Sequence, residues 1–395
     1  MFILVFDSDE LGLRFMLKSL RSDLEITGSV TDIATEAATL RLNPGDGREA
    51  VEIAEINDVS EAVCWVRDLL LERSYLPKVE DLRAVAQYVL HGGQKFKVPA
   101  VITDDVVEAI ERLRDNAPAA LDINLQAINA VRKFFPSIRQ IAVFDTAFHH
   151  TIPDFAALYA IPLDYIKKYN IRRYGFHGIP HRFMMNRVIE AAGLERNRSR
   201  VITIELSYGC SANACRNGIS VDNSMGFSRL EGLAMPERAG TVNFDVLSFL
   251  HSKENMSIEE ISTMLNKFSG LYGLSGGLHS MEEILSAVEK GDVIATNAYK
   301  NFIYQVRKHI GAYMLLLGGV DAIAISGILV QDLPQVRESI FEDLSNFGMI
   351  LDTSENARRI GENEGLISAA SSAVKIYYFK RNTQRAIFQE VEKLL

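Results

Sequence analysis

Arginines and histidines gather in one short stretch of the chain. Residues 172–181, RRYGFHGIPH, place Arg172, Arg173, His177 and His181 around two glycines, just before a helix predicted over about 181–193. Such groups beside a helix N-terminus are typical of an anion-binding site, because guanidinium groups and unpaired backbone N–H groups both favour negative charge. Surface arginines with one hydrogen-bonded core histidine would produce the same letters, so the sequence leaves both interpretations open.

Another arginine lies near the end of an unusual loop-like stretch, residues 216–240, RNGISVDNSMGFSRLEGLAMPERAG. The stretch starts with an Asn217-Gly218 turn, has Glu231 and Glu237 around apolar residues, and ends shortly after Arg238. It is too polar and glycine-rich for a core element and too hydrophobic for a solvated linker. A loop of this kind is usually held by a rigid scaffold so that a few side chains reach a cleft. A long ordered connection without chemistry is the alternative.

Acidic residues follow two of the predicted buried strands. Residues 2–6 form an apolar run that ends in Asp7-Ser8-Asp9, and RQIAVFDTAFHH at 139–150 is an apolar strand that ends in Asp145. Polar groups at the carboxyl ends of strands commonly line the ligand cleft of an open α/β sheet. Asp145 is therefore a candidate metal ligand or base, although an aspartate that caps the following turn would look the same.

The composition argues against several classes of protein. The chain has 395 residues, of which 48% are hydrophobic and 24% charged, three cysteines and a net charge of −9. Nucleic acid is not expected as the main partner, because neutralising phosphates requires basic clusters. The scattered cysteines give neither a disulfide framework nor zinc spacing. The first residues lack the basic lead-in of a signal peptide, and no segment approaches the roughly 20 apolar residues of a membrane span. We therefore expect a cytoplasmic protein that does not contact membranes.

Strands and helices alternate in both halves of the chain. A chain of this length is expected to form two domains, and the order of elements predicts a duplicated α/β layout with a cleft between the halves. A turn is predicted at 43–47 and a hairpin around Asn217-Gly218. Periodicity and composition predict strands at about 2–6, 13–18, 24–31, 84–90, 139–144, 201–206, 320–326 and 373–379. They predict helices at about 58–73, 103–114, 122–134, 181–193, 244–252, 258–267, 280–289, 291–316, 334–346 and 382–394.

Three long segments resemble a known family. VFDTAFHHTIP, RRYGFHGIPH and SVDNSMGFSRLEGLAMPERAG are similar to signature segments of the acetate kinases, the acetokinase family, and HGGQKF, GLYGLSGG and VDAIAISG add weaker matches in the same order. The resemblance implies an α/β fold with two RNase-H-like domains and an interdomain cleft, as in the actin, sugar-kinase and heat-shock-chaperone ATPase superfamily. It implies an N-terminal domain at 1–148 plus 381–395 and a C-terminal, dimerisation domain at 149–380. It also implies a homodimer that uses ATP and Mg²⁺ to convert a short carboxylate to an acyl phosphate.

The resemblance assigns roles to polar residues that match the family. Asp145 matches the acid that helps to orient magnesium, and Asp7 could also touch the metal. His177 matches the histidine that steadies the transferring phosphoryl group, and Arg238 matches the arginine that reaches this group and the carboxylate. These roles suit phosphoryl transfer, which depends mainly on positioning and on the neutralisation of charge.

The positions that match the carboxylate-binding part of the family site are partly changed. Leu90 and Phe176 match apolar positions of the small carboxylate pocket. Arg229 stands where a proline lines this pocket, and it could fill the pocket or bind an anion itself. Tyr88 replaces the family's substrate-binding arginine, and Ala120 replaces its second active-site histidine.

The phosphate and nucleotide segments also depart from the family. The phosphate loop, His-Leu-Gly-Asn-Gly in the family, reads Glu205-Leu206-Ser207-Tyr208-Gly209, which places a carboxylate and a bulky ring where close backbone approach is needed. Asp9 and Glu10 occupy a first turn that is serine-rich and basic in the family. Further changes are Ser280-Met281-Glu282 for Asp-Met-Arg, Ile328-Leu329-Val330-Gln331-Asp332 for Gly-Ile-Gly-Glu-Asn, and Thr383 or Gln384 for an acid after Asn382.

These replacements predict an acetokinase-family protein whose fold and dimer persist and whose kinase activity is weak or absent. They remove several groups at once, and each is typically worth about 10²–10³ in rate, or about 10³–10⁵ for a phosphate-stabilising arginine. Such a protein would act as a partner, a regulator or a binder of a small carboxylate or phosphate-containing anion, with Arg229 and Arg238 facing the anion. The alternative is an active acetate- or propionate-type carboxylate kinase with rearranged ligands or another phosphoryl donor. Asp145, His177 and Arg238 could also persist because they hold the fold or the dimer together.

Overall fold

The chain, described here by a computed structural model that covers residues 1–45 and 48–395, divides into two units. Unit 1 comprises Met1–Ala147 and Asn382–Leu395, and unit 2 comprises Phe148–Arg381. Each unit has its own mixed β-sheet and its own helices. Within the described ranges, no helix is both long and apolar enough to span a membrane.

The sheet of unit 1 combines an antiparallel meander with parallel strands. In the described part of the chain its strands are β1 (Phe2–Asp9), β2 (Gly12–Ser19), β3 (Glu25–Thr31), β4 (Thr35–Asn43), β5 (Ala50–Ile56), β6 (Leu82–Val89), β7 (Ala100–Val101) and β8 (Gln140–Phe144). They lie in the order β5-β4-β3-β2-β1-β6-β8-β7. β1 to β5 are antiparallel neighbours, whereas β6 runs parallel to β1 and β8 runs parallel to β6. The carboxyl ends of β1 and β8, which carry Asp7 and precede Asp145, therefore lie at the same edge of the sheet.

Helices from both ends of the sequence belong to unit 1: α1 (Val59–Glu72), α2 (Asp104–Glu111), α3 (Pro118–Phe134) and, numbered in chain order, α15 (Thr383–Glu392). α1, α3 and α15 pack on the sheet, and α2 packs on α3. α1 begins where the side chain of Asp58 accepts a hydrogen bond from the Glu61 N–H at 2.8 Å. α1 packs against α3, and both α3 and α15 pack against β1 and β6. The apolar faces of β1, β2, α1 and α3 share one core, which includes Leu4, Phe15 and Val63.

The sheet of unit 2 repeats this pattern with fewer strands. Its described strands are β9 (Arg200–Leu206), β10 (Cys210–Arg216), β11 (Ile219–Asn223), β12 (Ala322–Ser326), β13 (Gly365–Leu366) and β14 (Lys375–Tyr378). They lie in the order β11-β10-β9-β12-β14-β13, with β9 to β11 antiparallel and β12 and β14 parallel to β9. In both units the first strand of a meander joins two later parallel strands. The predicted duplicated α/β fold is confirmed.

Helices of unit 2 pack against its sheet. α6 (Gly178–Ala191) packs against β9 and β12, and α11 (Val293–Leu317) packs against β9 and β10. The side chain of Asp292 caps the start of α11, and Gly318 ends it in the left-handed conformation with φ 69°. The bounds are α4 (Asp154–Ala157), α5 (Leu163–Tyr169), α6 (Gly178–Ala191), α7 (Phe244–Glu254), α8 (Ile258–Lys267), α9 (Gly270–Leu274), α10 (Met281–Glu289), α11 (Val293–Leu317), α12 (Ile328–Gln331), α13 (Pro334–Phe341) and α14 (Thr353–Arg358).

Turns and helix ends show where local prediction succeeds and fails. The predicted hairpin between β10 and β11 is present, and Asn217 and Gly218 have the two positive φ angles, 57° and 77°, that a tight hairpin turn favours. The helix predicted at 334–346 instead ends at Phe341, and Asp343 then adopts a φ of 57° that a helix cannot accommodate. The turn predicted at 43–47 falls partly on residues 46 and 47, which lie outside the described residues.

Candidate anion site and the family of the chain

His177 has a backbone conformation that is uncommon for its residue type. It directly precedes α6, and its φ of 58° and ψ of 27° lie in the left-handed region. Its ring packs against Gly209 in the turn between β9 and β10, where an added Cβ would lie 2.8 Å from the His177 Cε1. A strained residue of this kind persists only when its surroundings fix it. The fold therefore holds the His177 ring against the β9–β10 turn.

Three arginines of unit 2 lie close enough to His177 to affect its charge. Burial lowers the pKa of His177 well below its ordinary value, and the positive charges of Arg381, Arg229 and Arg238 lower the pKa further. The imidazole is therefore neutral at neutral pH. Arg229 and Arg238 are half-buried. We call Arg229, Arg238 and Arg381 the arginine cluster; with His177 they bring positive charge and hydrogen-bond donors to one place, as an anion requires.

The backbone that carries Arg238 is held by the end of α8 and the start of α9. The N–H of Ala239 donates to the carbonyl of Leu265 at 2.9 Å, and the N–H of Leu271 donates to the carbonyl of Met235 at 2.9 Å. These bonds flank Arg238 on both sides. Although residues 224–240 contain neither helix nor strand, the position of Arg238 is therefore fixed by tertiary structure.

Arg173, which belongs to the anion site predicted from the sequence, connects two segments of unit 2 instead. Its guanidinium pairs with Glu231 at 2.8 Å and donates to the carbonyls of Asn223 and Met225 at 3.0 and 3.2 Å. The hydroxyl of Tyr159 also donates to Glu231. Arg173 and Glu231 thus tie the 216–240 stretch to residues 159–173. The anion interpretation of residues 172–181 is wrong for Arg173, whose charge is used in this structural pair.

Glu205 is a buried carboxylate at the end of β9. It is 1% exposed, and its Oε1 lies 3.3 Å from Arg381 Nε and accepts a hydrogen bond from the Ser207 hydroxyl at 2.7 Å. Burial raises the pKa of Glu205, while the charge of Arg381 lowers it. One arginine of the cluster, Arg381, is therefore already paired with a carboxylate of the protein itself. Tyr208, three residues later, is 56% exposed.

The acidic residue at the end of β1 is already engaged within unit 1. Asp7 Oδ2 accepts hydrogen bonds from Arg14 Nε at 2.9 Å and from Gln384 Nε2 at 3.3 Å, and Arg14 also pairs with Asp9 at 2.6 Å. The cross-strand register that places Asp7 opposite Arg14 produces this arrangement. Arg14 also balances the acidic charge of the first turn. Mg²⁺ at Asp7 would have to compete with the Arg14 guanidinium, and Asp7 as a metal ligand stays a prediction.

Asp145 and the two apolar residues predicted for substrate binding are buried. Asp145 is 1% exposed and directly follows β8, and its N–H donates to the carbonyl of Val89 at 2.9 Å. Leu90 and Phe176 are each 1% exposed. Asp145 remains a suitable type of ligand for a cation such as Mg²⁺, which prefers one or two carboxylates. In the described residues, no group of three or more histidines, cysteines or acids is arranged to hold a metal ion.

Other residues of the site gave no clear signal in the sequence. Arg381 lies in the KRNTQ segment and contacts Glu205, although they are far apart in the chain. Ser211 hydrogen-bonds both His177 and His181 at 2.8 Å, and Thr203 hydrogen-bonds His181 at 2.8 Å. Alternation of small polar residues along β9 and β10 is the sequence signal that could have indicated an inward-facing polar row.

Comparison with known proteins agrees with the fold and with the order of these segments. The acetokinase family matches residues 2–389 of the chain. The acetate kinase of Halothermothrix orenii is 36% identical over 100% of this chain and 99% of its own length, and that of Thermotoga maritima is 36% identical over 100% and 98%.

Solved structures give the same result. The acetate kinase of Porphyromonas gingivalis has a TM-score of 0.92 at 31% identity and covers 100% of this chain and 99% of its own. A propionate kinase from Francisella tularensis has a TM-score of 0.91 at 30% identity, with 98% of each chain covered. With its two sheets, its two units and its matching segments along nearly the whole length, the chain belongs to the acetokinase family.

Proposed function

We propose that this protein binds a small phosphate- or carboxylate-containing anion at His177 and the arginine cluster, and transfers phosphoryl groups from ATP slowly or not at all. The weak or absent kinase activity rests on the Glu205–Arg381 pair, 3.3 Å between Nε and Oε1, and the anion binding rests on the positive charges of Arg229 and Arg238 beside His177. The carboxylate of Glu205 repels the phosphates of a nucleotide and competes for a cation that would otherwise bind them. Arg229 and Arg238 then face the anion together with His177.

Three further features support weak or absent kinase activity. The segment Glu205–Gly209 replaces the phosphate loop that the resemblance leads one to expect, and Tyr208 adds a ring to it. Asp7, proposed with Asp145 as a contact for Mg²⁺, is held by Arg14. Tyr88 stands at the position of the expected substrate arginine. ATP and Mg²⁺ are the cofactors that family membership implies for an active enzyme, and in that case Asp145 would contact the metal.

An active carboxylate kinase is the second candidate. Asp145, His177 and Arg238 match the family, and the relatives at 36% identity over the full chain are named acetate kinases. In this alternative, His177 and Arg238 would neutralise the transferring phosphoryl group, Leu90 and Phe176 would contact a short acid such as acetate or propionate, and the donor would be ATP or another phosphoryl compound.

Calorimetric titration of the purified protein with Mg-ATP tests the proposal. We expect no binding or binding weaker than about millimolar, since the groups that would contact phosphate are replaced. A hydroxamate assay for acyl phosphate, with acetate and propionate as acceptors and ATP or pyrophosphate as donors, then measures turnover. Micromolar Mg-ATP affinity with turnover above about 1 s⁻¹, the lower end of typical enzyme rates, would establish the second candidate instead.

We also propose that the protein is a homodimer through unit 2, as the family resemblance implies. Large apolar side chains of unit 2 are exposed, among them Phe155 at 84% and Phe244 at 76%. Extensive exposed apolar surface commonly marks a site of association. Light scattering after size exclusion should give twice the 44.1 kDa mass of the chain, and a mass of one chain at micromolar concentration would contradict this proposal.

A further inference from the structure

Four side chains of unit 2 form an unbroken line of hydrogen bonds that ends at His177. Thr203 Oγ1 lies 2.8 Å from His181 Nδ1, His181 Nε2 lies 2.8 Å from Ser211 Oγ, and Ser211 Oγ lies 2.8 Å from His177 Nδ1. Thr203 is on β9, Ser211 on β10, and His181 in the first turns of α6. Thr203, His181 and Ser211 are all 0% exposed. Bulk water therefore does not reach their polar groups.

The position of each hydrogen follows from the first member of this line. Among the described residues, His181 Nδ1 is the only hydrogen-bond partner of the Thr203 hydroxyl. A buried hydroxyl hydrogen without an acceptor is unfavourable, so Thr203 donates to Nδ1. The neutral His181 ring then carries its hydrogen on Nε2 and donates to Ser211. Ser211, with both its partners in the line, donates its hydrogen to His177 Nδ1.

We infer that Thr203, His181 and Ser211 are positioning residues that hold His177 as the neutral tautomer with its hydrogen on Nε2. Both rings are suited to this arrangement, because burial lowers the pKa of His181 and of His177 well below the ordinary value. A doubly protonated His181 would have two donors facing Thr203 and Ser211. It would reverse the hydrogen bond from Thr203 and leave that hydroxyl unsatisfied.

The tautomer decides what His177 offers to a ligand. Its Nε2 lies near the β9–β10 turn, since a Cβ at Gly209 would be 2.9 Å from it. With hydrogen on Nε2 the ring donates to an anion at the arginine cluster, whereas the other tautomer would present a lone pair and repel the anion. This use of the ring rests on the proposed function, but the tautomer itself is a property of the protein without ligand.

Long-range ¹⁵N–¹H correlation spectra of the full-length protein labelled with ¹⁵N-histidine test the inference. We expect His177 and His181 both to show the pattern of the neutral Nε2–H tautomer near neutral pH, with signals assigned by His177→Gln and His181→Gln variants. Wild-type His177 with its hydrogen on Nδ1 would overturn the inference directly; the tautomers are read from the wild-type protein, and the variants serve only to assign its signals.

Thr203→Val and Thr203→Ser form a matched pair. Valine is similar in shape to threonine but offers His181 Nδ1 neither a donor nor an acceptor, so the preference of His181 and His177 for the Nε2–H tautomer should weaken and the Nδ1–H tautomer should become detectable, while serine should keep the wild-type pattern. Backbone ¹⁵N–¹H spectra report whether each variant is folded. If folded Thr203→Val keeps both tautomers, Thr203 does not set them and the inference fails.

A titration with inorganic phosphate separates this inference from the proposed function. Wild-type tautomers as expected, without any phosphate-induced change, would reject anion binding and keep the positioning line. Phosphate binding to a His177 ring that carries hydrogen on Nδ1 would support anion binding and reject the positioning line.

Discussion

Arg381 and Glu205 form a partly buried ion pair in which Arg381 Nε lies 3.3 Å from Glu205 Oε1. The second carboxylate oxygen, Oε2, has no hydrogen-bond partner among the described residues. Removing a carboxylate from water costs free energy that one arginine does not fully offset. Burial accordingly raises the pKa of Glu205, and Arg381 only moderates this effect.

Replacing Glu205 by glutamine should stabilise the protein increasingly as pH rises. Because the folded-state pKa of Glu205 is raised, the folded state holds this proton more tightly than the unfolded state does. The stability that the protonated Glu205 side chain contributes is fully present below the ordinary glutamate pKa, and it is lost as pH rises through the raised pKa of the folded state. Thermal unfolding of Glu205→Gln and wild type should give similar midpoints near pH 4, with the variant higher at about pH 8. Glu195→Gln, at a side chain that is 65% exposed, is the control, and an equal pH trend in both variants would contradict the prediction.

Arg238→Ala should weaken the binding of inorganic phosphate. A hydrogen bond to a charged group is worth about 1.5–3 kcal/mol, which corresponds to an increase in Kd of about 10- to 150-fold. Isothermal titration calorimetry measures the change. Arg198→Ala, at an arginine whose side chain is 83% exposed, should bind as wild type does. Equal phosphate affinity of wild type and Arg238→Ala would remove Arg238 from the anion site.

Gly209→Ala should displace the His177 ring. The added methyl group would lie 2.8 Å from His177 Cε1, closer than carbon atoms can approach without a shift. Overpacking of this kind typically costs about 1–3 kcal/mol, and urea unfolding should show the loss together with weaker phosphate binding. Gly311→Ala is the matched control, because nothing lies within 4 Å of its added Cβ. In helix α11 this change should be stabilising by about 0.5–1 kcal/mol.

Arg14→Met should destabilise unit 1 because it leaves Asp7 and Asp9 without their shared cation. Arg14 is 24% exposed and contacts Asp7 at 2.9 Å and Asp9 at 2.6 Å. We expect a loss of about 1–3 kcal/mol in the free energy of unfolding by urea. Arg112→Met, at an arginine that is 77% exposed and pairs with Glu108, should change it by less than about 0.5 kcal/mol. Equal losses of unfolding free energy in the two variants would contradict the prediction that the partly buried ion pairs of Arg14 stabilise the protein more than an exposed pair does.

Restoring the phosphate loop should increase kinase activity if its changes are what limits phosphoryl transfer. The triple variant Glu205→His, Ser207→Gly and Tyr208→Asn converts ELSYG to HLGNG. Removing one carboxylate and recovering one donor should raise acyl phosphate formation by about 10²-fold or more, measured as hydroxamate with Mg-ATP and acetate. No gain in a folded variant would place the limitation at other positions, such as Tyr88.

The strands with continuous apolar runs, including β1, β8, β9 and β12, could be predicted because burial on both faces leaves a strong signal. β4 and β5 were missed for the opposite reason. β4 buries Ala38, Leu40 and Leu42 on one face, while β5 leaves Val51 and Ile53 at 49% and 68% exposure. Such sparse alternation between polar residues resembles a loop until the pairing partner is known.

Less of the candidate site than of the fold could be predicted from the sequence. Histidine and arginine letters indicated an anion site near 172–181, and His177 does lie among three arginines. Sequence spacing could not distinguish His177 from Arg173, because the partner of Arg173 is Glu231, more than fifty residues away. The pairs Arg14–Asp7 and Arg381–Glu205 likewise depend on strand register and tertiary packing, which no local pattern specifies.

The discontinuity of unit 1 has a consequence for the order in which the chain folds during synthesis. α15 buries Ala386, Ile387, Phe388 and Val391, and it packs against β1 and β6, which leave the ribosome far earlier. Unit 2 is a continuous segment from Phe148 to Arg381. While it is translated, part of the apolar surface of unit 1 therefore remains uncovered. Chaperone capture of nascent chains should thus be strongest before residue 382 emerges and should fall once α15 can dock.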